Sequence, residues 1–330
     1  MLDLIIIGAG PIGLEAAIAA KRAGLEHRVL EKGALVQAIV DYPTYMTFFT
    51  TSERLEIGGH PMVTATDKPS RKEALDYYRK VTHAEGLQVD TFTTVTDLRR
   101  LPGGGFEIDA RDRLGRTSSL RAAKVALATG YFDNPNLLRV PGEDLPHVSH
   151  VYDEAHPYYG REVTIVGAGS SAADAALDLF RGGARVTMVH RGDDFRHSLK
   201  YWIRPNLENR VKEGSIRVHF RTAVKGIEAD ALLAERDGET LRIPSERVFL
   251  LTGYHASTEL LMRVGAQVDP VTLAAKLDRW YQTTVPGLYC LGSAGFGHRT
   301  SDVFIENGLQ HVAAALPHIA GRVGTGEPAA

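Results

Sequence analysis

The feature that most constrains the fold is a glycine-rich turn that occurs twice between an apolar segment and a helical one. The first copy, Gly-Ala-Gly-Pro-Ile-Gly at 8–13, follows the apolar run 4–7. The second, Gly-Ala-Gly-Ser-Ser-Ala at 167–172, follows the apolar run 163–166. In such a turn the first glycine allows a tight bend, the second lets the backbone approach a pyrophosphate, and the third small residue lets helix and strand pack closely. The sequence therefore predicts two strand–turn–helix units of the dinucleotide-binding type.

The first unit has the further signals expected of this type. A helix is predicted from about 12 to 23, ended by Gly24, and a second strand from 28 to 30. The strand ends at Glu31, and an acidic residue there can accept hydrogen bonds from both hydroxyls of a ribose. The unpaired N–H groups at the helix start would face the phosphates.

The second unit ends its strand 185–189 on basic residues instead. His190 stands where Glu31 stands in the first unit, and Arg191, Arg196 and Lys200 follow. An acid would repel a ribose 2′-phosphate, whereas a guanidinium can clamp it. We therefore expect this site to prefer NADP over NAD. For His190 alone, a solvated surface position is an equally good interpretation, so the prediction depends mainly on the two arginines.

The sequences that follow the two strand–turn–helix units are similar, which indicates an internal duplication. Each leads through short predicted strands to the same tripeptide, Thr-Gly-Tyr, at 129–131 and 252–254. The predicted strands lie near 95, at 106–110, 118–121 and 125–131 in the first half, and at 216–220, 232–235, 241–243 and 248–254 in the second.

The C-terminal part is predicted to return to the first domain. A strand within 285–295 runs into a glycine turn, and a helix follows from about Val303, capped by Ser301 or Asp302. The predicted fold is α/β, with two Rossmann-like domains of which the second is inserted into the first. The predicted bounds are 1–131 and 254–330 for the first domain and 132–253 for the second, with a frayed tail at 321–330.

Composition excludes several other classes of protein. Hydrophobic residues make up 44% and charged residues 24%, which is incompatible with general disorder. The net charge of −2 provides no basic field for nucleic acid or an anionic membrane. No apolar run reaches the roughly 20 residues of a membrane span, and Asp3 stands where a signal peptide would be basic. We expect a cytoplasmic protein, forming a homodimer or higher homo-oligomer, with no nucleic-acid or membrane partner.

Cysteine usage limits the redox chemistry. The single cysteine, Cys290, excludes an internal disulfide and a cysteine zinc cluster. It lies in an apolar strand, where a buried and inert thiol is expected. His147 and His150 lack supporting ligands and are interpreted as part of a loop, so no metal site is predicted.

Taken in this order, the motifs resemble the two-domain flavoproteins of the low-molecular-weight thioredoxin reductase group. The stretch 190–196, His-Arg-Gly-Asp-Asp-Phe-Arg, is similar to that group's NADPH-binding stretch, with Gly192 in place of its second arginine. The resemblance implies FAD in the first site and NADPH in the second. The implied FAD residues are Gly8, Gly10, Pro11, Gly13, Glu31, Tyr42, Thr44, Val95, Thr129, Gly130, Gly292, Ser293 and Val303. The implied NADPH residues are Gly167, Gly169, Ser170, Ser171, His190, Arg191, Arg196 and Lys200.

Four dispersed blocks narrow the resemblance. The segments 41–52, 154–158, 198–206 and 304–308 are similar to the bacilliredoxin reductases, also called bacillithiol disulfide reductases. Members of that family reduce the disulfide of a low-molecular-weight thiol with NADPH through FAD. The resemblance implies the same activity here, with a small-molecule disulfide or a small redox protein as the partner.

Two departures from these families affect the expected mechanism. The Cys-x-x-Cys of thioredoxin reductases is missing from 151–160, and Ile12 occupies the position of the cysteine that bacilliredoxin reductases carry in the first glycine turn. An enzyme without a cysteine pair is therefore expected. Tyr42, Thr44 and Phe48 are candidates for the wall facing the flavin, although Phe48 fits core packing better. His156 is a candidate proton donor, with a structural role as the equal alternative.

Three functional hypotheses remain open from the sequence. The first is reduction of a small disulfide directly from reduced flavin. The second is a ferredoxin- or flavodoxin-NADP reductase, which shares the fold and needs no cysteine. The third is a flavin-binding redox sensor without turnover, which the arginine cluster disfavours because a sensor needs no NADPH specificity.

Overall fold

The two glycine turns lie in separate α/β units of the computed structural model. The structure describes residues 1–197 and 199–322. Of the described residues, one unit contains 1–40, 46–134 and 254–322, and the other contains 41–45 and 135–253. The units differ from the predicted domains at two places: 132–134 belong to the first unit, and 41–45 group with the second. The predicted frayed tail lies outside the described residues from 323 onward.

The elements have the following bounds. The strands are β1 (Leu2–Ile7), β2 (His27–Leu30), β3 (Val89–Asp90), β4 (Thr93–Arg100), β5 (Phe106–Asp112), β6 (Thr117–Leu127), β7 (Val148–Ser149), β8 (Glu162–Val166), β9 (Arg185–Val189), β10 (Ile216–His219), β11 (Thr222–Ile227), β12 (Ala231–Arg236), β13 (Glu239–Pro244), β14 (Arg247–Leu250) and β15 (Leu288–Cys290). The α-helices are α1 (Pro11–Arg22), α2 (Gln37–Val40), α3 (Arg71–Ala84), α4 (Ser170–Arg181), α5 (Arg204–Lys212), α6 (Glu259–Arg263) and α7 (Ile305–Ile319). Short 3-10 helices cover Ser52–Leu55, His156–Tyr158 and Gly292–Gly295.

The sheet of the first unit runs in the order β3-β2-β1-β6-β5-β4, and β15 also pairs with β6. Strands β3, β2, β1, β6 and β15 are parallel in their pairings with one another, whereas β5 is antiparallel to β4 and β6. The centre of β1, residues 4–6, is completely buried, as expected for a parallel strand that is covered on both faces. The carboxyl ends of β1, β6 and β15 consequently lie at one edge of the sheet.

Strand β6 corrects one prediction. The sequence predicts separate elements at 118–121 and 125–131, but the structure has one continuous strand, Thr117–Leu127. Its first half pairs antiparallel with β5, and its second half pairs parallel with β1. The strand is therefore partly exposed in its first half and buried at its end. In the sequence, this change in the pattern of apolar residues looks like a gap between two strands.

The second unit contains a parallel sheet in the order β10-β9-β8-β14-β7 and an antiparallel sheet in the order β11-β12-β13. Helix α4 buries four alanines, Ala172, Ala173, Ala175 and Ala176, in the core cluster that includes Ile165 of β8. Such small side chains allow the helix to pack closely on a sheet.

Several elements have no counterpart in the sequence-based prediction, among them β11, α3 and α5. For α3 a local signal exists, since Ser70 and Glu73 form a capping box in which each side chain bonds the backbone of the other. No helix within the described residues is long and apolar enough to cross a membrane.

Candidate cofactor sites

The first glycine turn is held so closely by its neighbours that side chains are excluded at two positions. A Cβ added at Gly8, which has φ +107°, would lie 2.4 Å from the Ala128 carbonyl oxygen. A Cβ added at Gly13 would lie 2.0 Å from the Gly8 oxygen. Around Gly10, in contrast, no atom lies within 4 Å of the added Cβ, and no side chain caps α1. The open backbone at this helix start fits a pyrophosphate.

Glu31 has a contact that the sequence did not predict. Its buried carboxylate accepts the N–H of Ala9 at 2.7 Å through Oε2 and the N–H of Gly33 at 2.7 Å through Oε1. The end of β2 is thereby tied to the glycine turn. Each carboxylate oxygen has a second lone pair, which suits a ribose hydroxyl. The role of Glu31 toward a ribose stays a prediction.

Two other predicted segments reach the same edge of the sheet. The Thr129 nitrogen would lie 3.1 Å from a Cβ at Gly8. Leu291 donates its N–H to Leu127 of β6 at 2.8 Å, which places the following turn, with Gly292 and Ser293, beside the end of β6. The structure thus brings together the glycine turn, the end of β6 and the turn after β15. That the residues of these segments bind FAD stays a prediction.

The final helix starts later than predicted. Helix α7 begins at Ile305, and neither Ser301 nor Asp302 caps it with a side chain. Asn307 provides the cap, since its Oδ1 accepts the N–H of Phe304 and its Nδ2 donates to the Asp302 carbonyl, both at 2.7 Å. Val303, the predicted start, is a buried residue that precedes the helix.

The remaining residues predicted for the flavin site are dispersed. Val95 lies half-buried in β4 of the first unit, and Phe48 is buried there, in agreement with its interpretation as a core residue. Tyr42, Thr44 and His156 belong to the other unit, where the Thr44 N–H donates to Asp153 at 2.9 Å and His156 is exposed. The structure therefore does not bring these three together with Gly8 in one unit.

The second glycine turn repeats the geometry of the first. The Gly167 N–H donates to Val189 at 3.0 Å, as the Gly8 N–H donates to Leu30 at 2.8 Å. A Cβ added at Gly167 would lie 2.3 Å from the Leu251 oxygen. Helix α4 begins directly after this turn, and Ser170 and Ser171 are its first two residues.

Arg196 and Lys200, from the basic stretch after β9, contact this second turn. Arg196 donates its N–H to Ala168 at 3.2 Å, and its Cδ would lie 3.8 Å from a Cβ at Gly169. The Lys200 N–H donates to the Ser170 hydroxyl at 3.4 Å. Arg191 and Arg196 are exposed, and no ion pair joins either one to another described residue. Their unpaired charges beside the turn fit a phosphate group.

The imidazole ring of His190, in the same basic stretch, packs beside Gly192. Its pKa is lowered by burial and further by the positive charges of Arg191 and Arg196, so the ring is neutral near pH 7. A Cβ added at Gly192 would lie 2.7 Å from His190 Nε2. The imidazole therefore occupies the space where a side chain at 192 would begin, which gives a structural reason for glycine at this position.

Neither Cys290 nor position 12, where the family's cysteine is replaced by isoleucine, provides a reactive thiol. Cys290 is completely buried in β15, as predicted, and burial raises its pKa to about 12. The side chain of Ile12 packs where α1 meets α7, because a Cβ at Gly308 would lie 2.9 Å from Ile12 Cδ1. A Cβ at Gly292 would likewise lie 3.1 Å from Ile12 Cγ1.

Comparison with known proteins identifies the family. Residues 5–292 match the family model described as pyridine nucleotide-disulphide oxidoreductase. The chain is also 38% identical over 309 residues to the bacilliredoxin reductase Bdr of Bacillus subtilis (strain 168), covering 93% of this chain and 94% of the relative. The chain belongs to the bacilliredoxin reductase family. Like the flavoproteins of this group, it is an oxidoreductase that depends on FAD and NADPH.

Solved structures agree with membership of the bacilliredoxin reductase family. The bacillithiol disulfide reductase Bdr from Bacillus cereus superposes with a TM-score of 0.94 at 40% identity, over 97% of this chain and 99% of that one. The thioredoxin reductase of T. acidophilum, at 19% identity, has a TM-score of 0.76 over 97% and 98% of the two chains and shows the shared two-domain fold. A ferredoxin–NADP reductase of Ignicoccus hospitalis (strain KIN4/I / DSM 18386 / JCM 14125) is more distant, at 26% identity over 88% of this chain and 90% of the relative.

Replacing Arg191 or Arg196 with alanine should raise the KM for NADPH by about tenfold. Each substitution removes a guanidinium that we expect to form a charge-assisted contact with the 2′-phosphate. The KM for NADH should change little. Steady-state kinetics with both nucleotides provides the measurement. Arg181→Ala is the matched control, since this arginine lies at the other end of α4, roughly 15 Å along the helix. An equal rise for NADPH and NADH would contradict the phosphate assignment.

The Cys290 thiol of the native protein should not react with a disulfide reagent such as DTNB at pH 8. With a pKa of about 12, only about one thiol in ten thousand is ionised at that pH, and the sulfur is also buried. One thiol per chain should react after unfolding in guanidinium chloride. Cys290→Ser should keep turnover within a few-fold of the wild type. Rapid labelling of the folded protein would contradict the burial of the thiol, and an inactive but folded serine variant would show that the thiol participates in turnover.

Proposed function

We propose that this protein reduces the disulfide of a low-molecular-weight thiol of the bacillithiol type with NADPH. The overall reaction converts RSSR, NADPH and a proton into two RSH and NADP⁺. The observation that carries the proposal is similarity along nearly the whole chain to relatives named bacilliredoxin reductase and bacillithiol disulfide reductase. The match includes both glycine turns and is not confined to a single motif.

The two units would divide the binding of the cofactors. In the first, Gly8, Gly10, Gly13 and Glu31 would hold FAD together with the segments at Thr129 and Gly292. In the second, the turn beginning at Gly167 would hold NADPH, with Arg191 and Arg196 at its 2′-phosphate. This assignment is supported by the difference in charge between the two sites: the first has the buried acid Glu31, and the second has the exposed, unpaired Arg191 and Arg196. When bound, the cofactors supply hydride transfer, which the protein's side chains cannot perform.

The chain's own residues have a positioning role in this proposal. The backbone of the two turns binds phosphate groups, and the start of α7 places a partially positive helix end beside the turn 292–295. No thiol of the protein participates, because Cys290 is buried with a raised pKa and Ile12 replaces the family's cysteine. The substrate disulfide would then be reduced without a covalent link to the enzyme, which removes the step that usually divides the barrier.

The test is anaerobic reduction of the purified protein by NADPH, followed by addition of single acceptors. Oxidised bacillithiol should reoxidise the protein and support steady turnover, with two thiols formed per NADPH consumed. Ferredoxin, flavodoxin, a quinone and oxidised glutathione serve as comparison acceptors. Turnover with one of these and none with oxidised bacillithiol would overturn the proposed substrate class.

A second candidate activity is electron transfer between NADPH and a small iron–sulfur or flavin protein. Its support is the absence of a reactive thiol, together with the 26% identity to ferredoxin–NADP reductases over 88% of the chain. The ferredoxin and flavodoxin arms of the acceptor test decide between the two. Membership of a family of enzymes disfavours the hypothesis of a sensor without turnover.

The missing thiol leads to a prediction about the glycine turn. Ile12→Cys should increase turnover of oxidised bacillithiol, because it restores the family's thiol at a partly exposed position. Ile12→Ser is the matched control, since serine has a similar size and lacks the sulfur. Both variants should be compared by kcat/KM and by FAD content. Equal effects of the two substitutions would show that the side-chain volume, and not the thiol, determines the rate.

The predicted homodimer and cytoplasmic location also remain proposals. Their measurement is direct: size-exclusion chromatography with light scattering for the first and cell fractionation for the second.

A further inference from the structure

Two phenylalanines in contact expose part of their rings at the start of α7. Phe304, the residue before the helix, is 44% exposed, and Phe49 is 37% exposed. Their ring centroids lie 5.4 Å apart at an interplanar angle of 77°, which is an edge-to-face contact. Both residues belong to the first unit. They form one aromatic surface, to which neither the sequence nor the proposed reaction assigns a role.

The backbone around each phenylalanine is fixed. The Phe304 N–H donates to Asn307 Oδ1 at 2.7 Å, which ties the residue to the first turn of α7. Phe48, the neighbour of Phe49, is buried, and its N–H donates to the Pro69 carbonyl at 2.9 Å. A ligand that binds to the two rings therefore meets a surface that is already ordered, and little conformational entropy is lost on binding.

The aromatic surface lies one helical turn from the contact between α7 and Ile12. The Gly308 N–H donates to the Phe304 carbonyl at 3.0 Å, so the two residues are about 6 Å apart along the helix axis. A Cβ added at Gly308 would lie 2.9 Å from Ile12 Cδ1. Ile12 is partly exposed, and the expected gain in turnover from a thiol at this position requires the substrate disulfide to approach it. A substrate whose sulfur is near Ile12 therefore has the aromatic surface within reach.

The chemistry of the proposed acceptor fits an aromatic surface at this distance. Bacillithiol is a cysteine joined by an amide to a glucosamine that carries malate, so only a few bonds separate its sulfur from a sugar ring. One face of such a ring consists largely of C–H groups. When this face packs on an aromatic side chain, apolar surface is removed from water on both sides. Aromatic side chains are common in the lining of small-molecule sites for this reason.

We infer that Phe49 and Phe304 bind the sugar ring of the acceptor and so determine which small disulfide is reduced. This inference rests on the proposed function, in which the acceptor is the disulfide of bacillithiol. The two rings contact the acceptor away from its reacting sulfur atoms, so they act on its affinity and not on the rate of the chemical step. A disulfide without a sugar, such as cystine, gains nothing from them.

The test compares Phe49→Leu and Phe304→Leu in steady-state kinetics with oxidised bacillithiol and with cystine. Leucine keeps an apolar side chain at the surface and removes the aromatic face. The KM for oxidised bacillithiol should rise about tenfold in each variant, equivalent to about 1.4 kcal/mol, and kcat should stay within about twofold. The KM values for cystine and NADPH should not change. Phe304→Tyr keeps the ring and should stay within about threefold of the wild-type KM.

Phe92→Leu is the matched control. Phe92 is 45% exposed in the same unit, and it follows β3, which lies roughly 19 Å across the sheet from β15. Per bound FAD, this variant should have the wild-type KM for oxidised bacillithiol. An unchanged KM in Phe304→Leu, an equal rise for cystine, or an equal rise in Phe92→Leu would overturn the inference. Wild-type protein that reduces cystine, ferredoxin or a quinone but not oxidised bacillithiol would refute the proposed function, and the inference with it.

Discussion

The architecture depends on one close approach that occurs in both units. Directly after β1 and after β8, a glycine backbone passes so near a neighbouring carbonyl that no Cβ fits, at Gly8 against Ala128 and at Gly167 against Leu251. The approach brings the start of a helix to the carboxyl edge of the sheet. Because a helix start carries unpaired N–H groups, each close contact creates an anion-binding position at the point where several strands end.

The charge around these two positions then distinguishes them. In the first unit a buried carboxylate, Glu31, is already bonded to the glycine turn, so the negative charge is part of the framework. In the second unit the segment with Arg191 and Arg196 folds over the turn, and its charges remain exposed. Similar backbones, duplicated in one chain, thus differ in the sign and the exposure of the charge that a dinucleotide would meet.

The sequence predicts the strand–turn–helix openings of both units closely, because they rest on local rules: apolar runs, glycine spacing and helix ends. It fails where the outcome depends on partners distant in the sequence. The continuity of β6 depends on two different neighbours, and the start of α7 depends on the side chain of Asn307. Of the residues expected at the FAD site, those in the first glycine turn lie in the first unit, and Tyr42, Thr44 and His156 lie in the other, because no local signal reports the unit onto which a segment folds. The roles of all these residues toward the flavin stay predictions.

The continuous strand β6 has a mechanical consequence. In the first unit the antiparallel ribbon and the parallel sheet share one backbone, so a displacement of β4 and β5 is transmitted along β6 to its end beside Thr129. In the second unit the corresponding link is interrupted between β13 and β14, where Ser245 is buried and its hydroxyl bonds that of Thr164 in β8. There the ribbon is joined to the parallel sheet by side-chain packing and by bonds such as Ser245–Thr164, whereas in the first unit one continuous strand makes the connection.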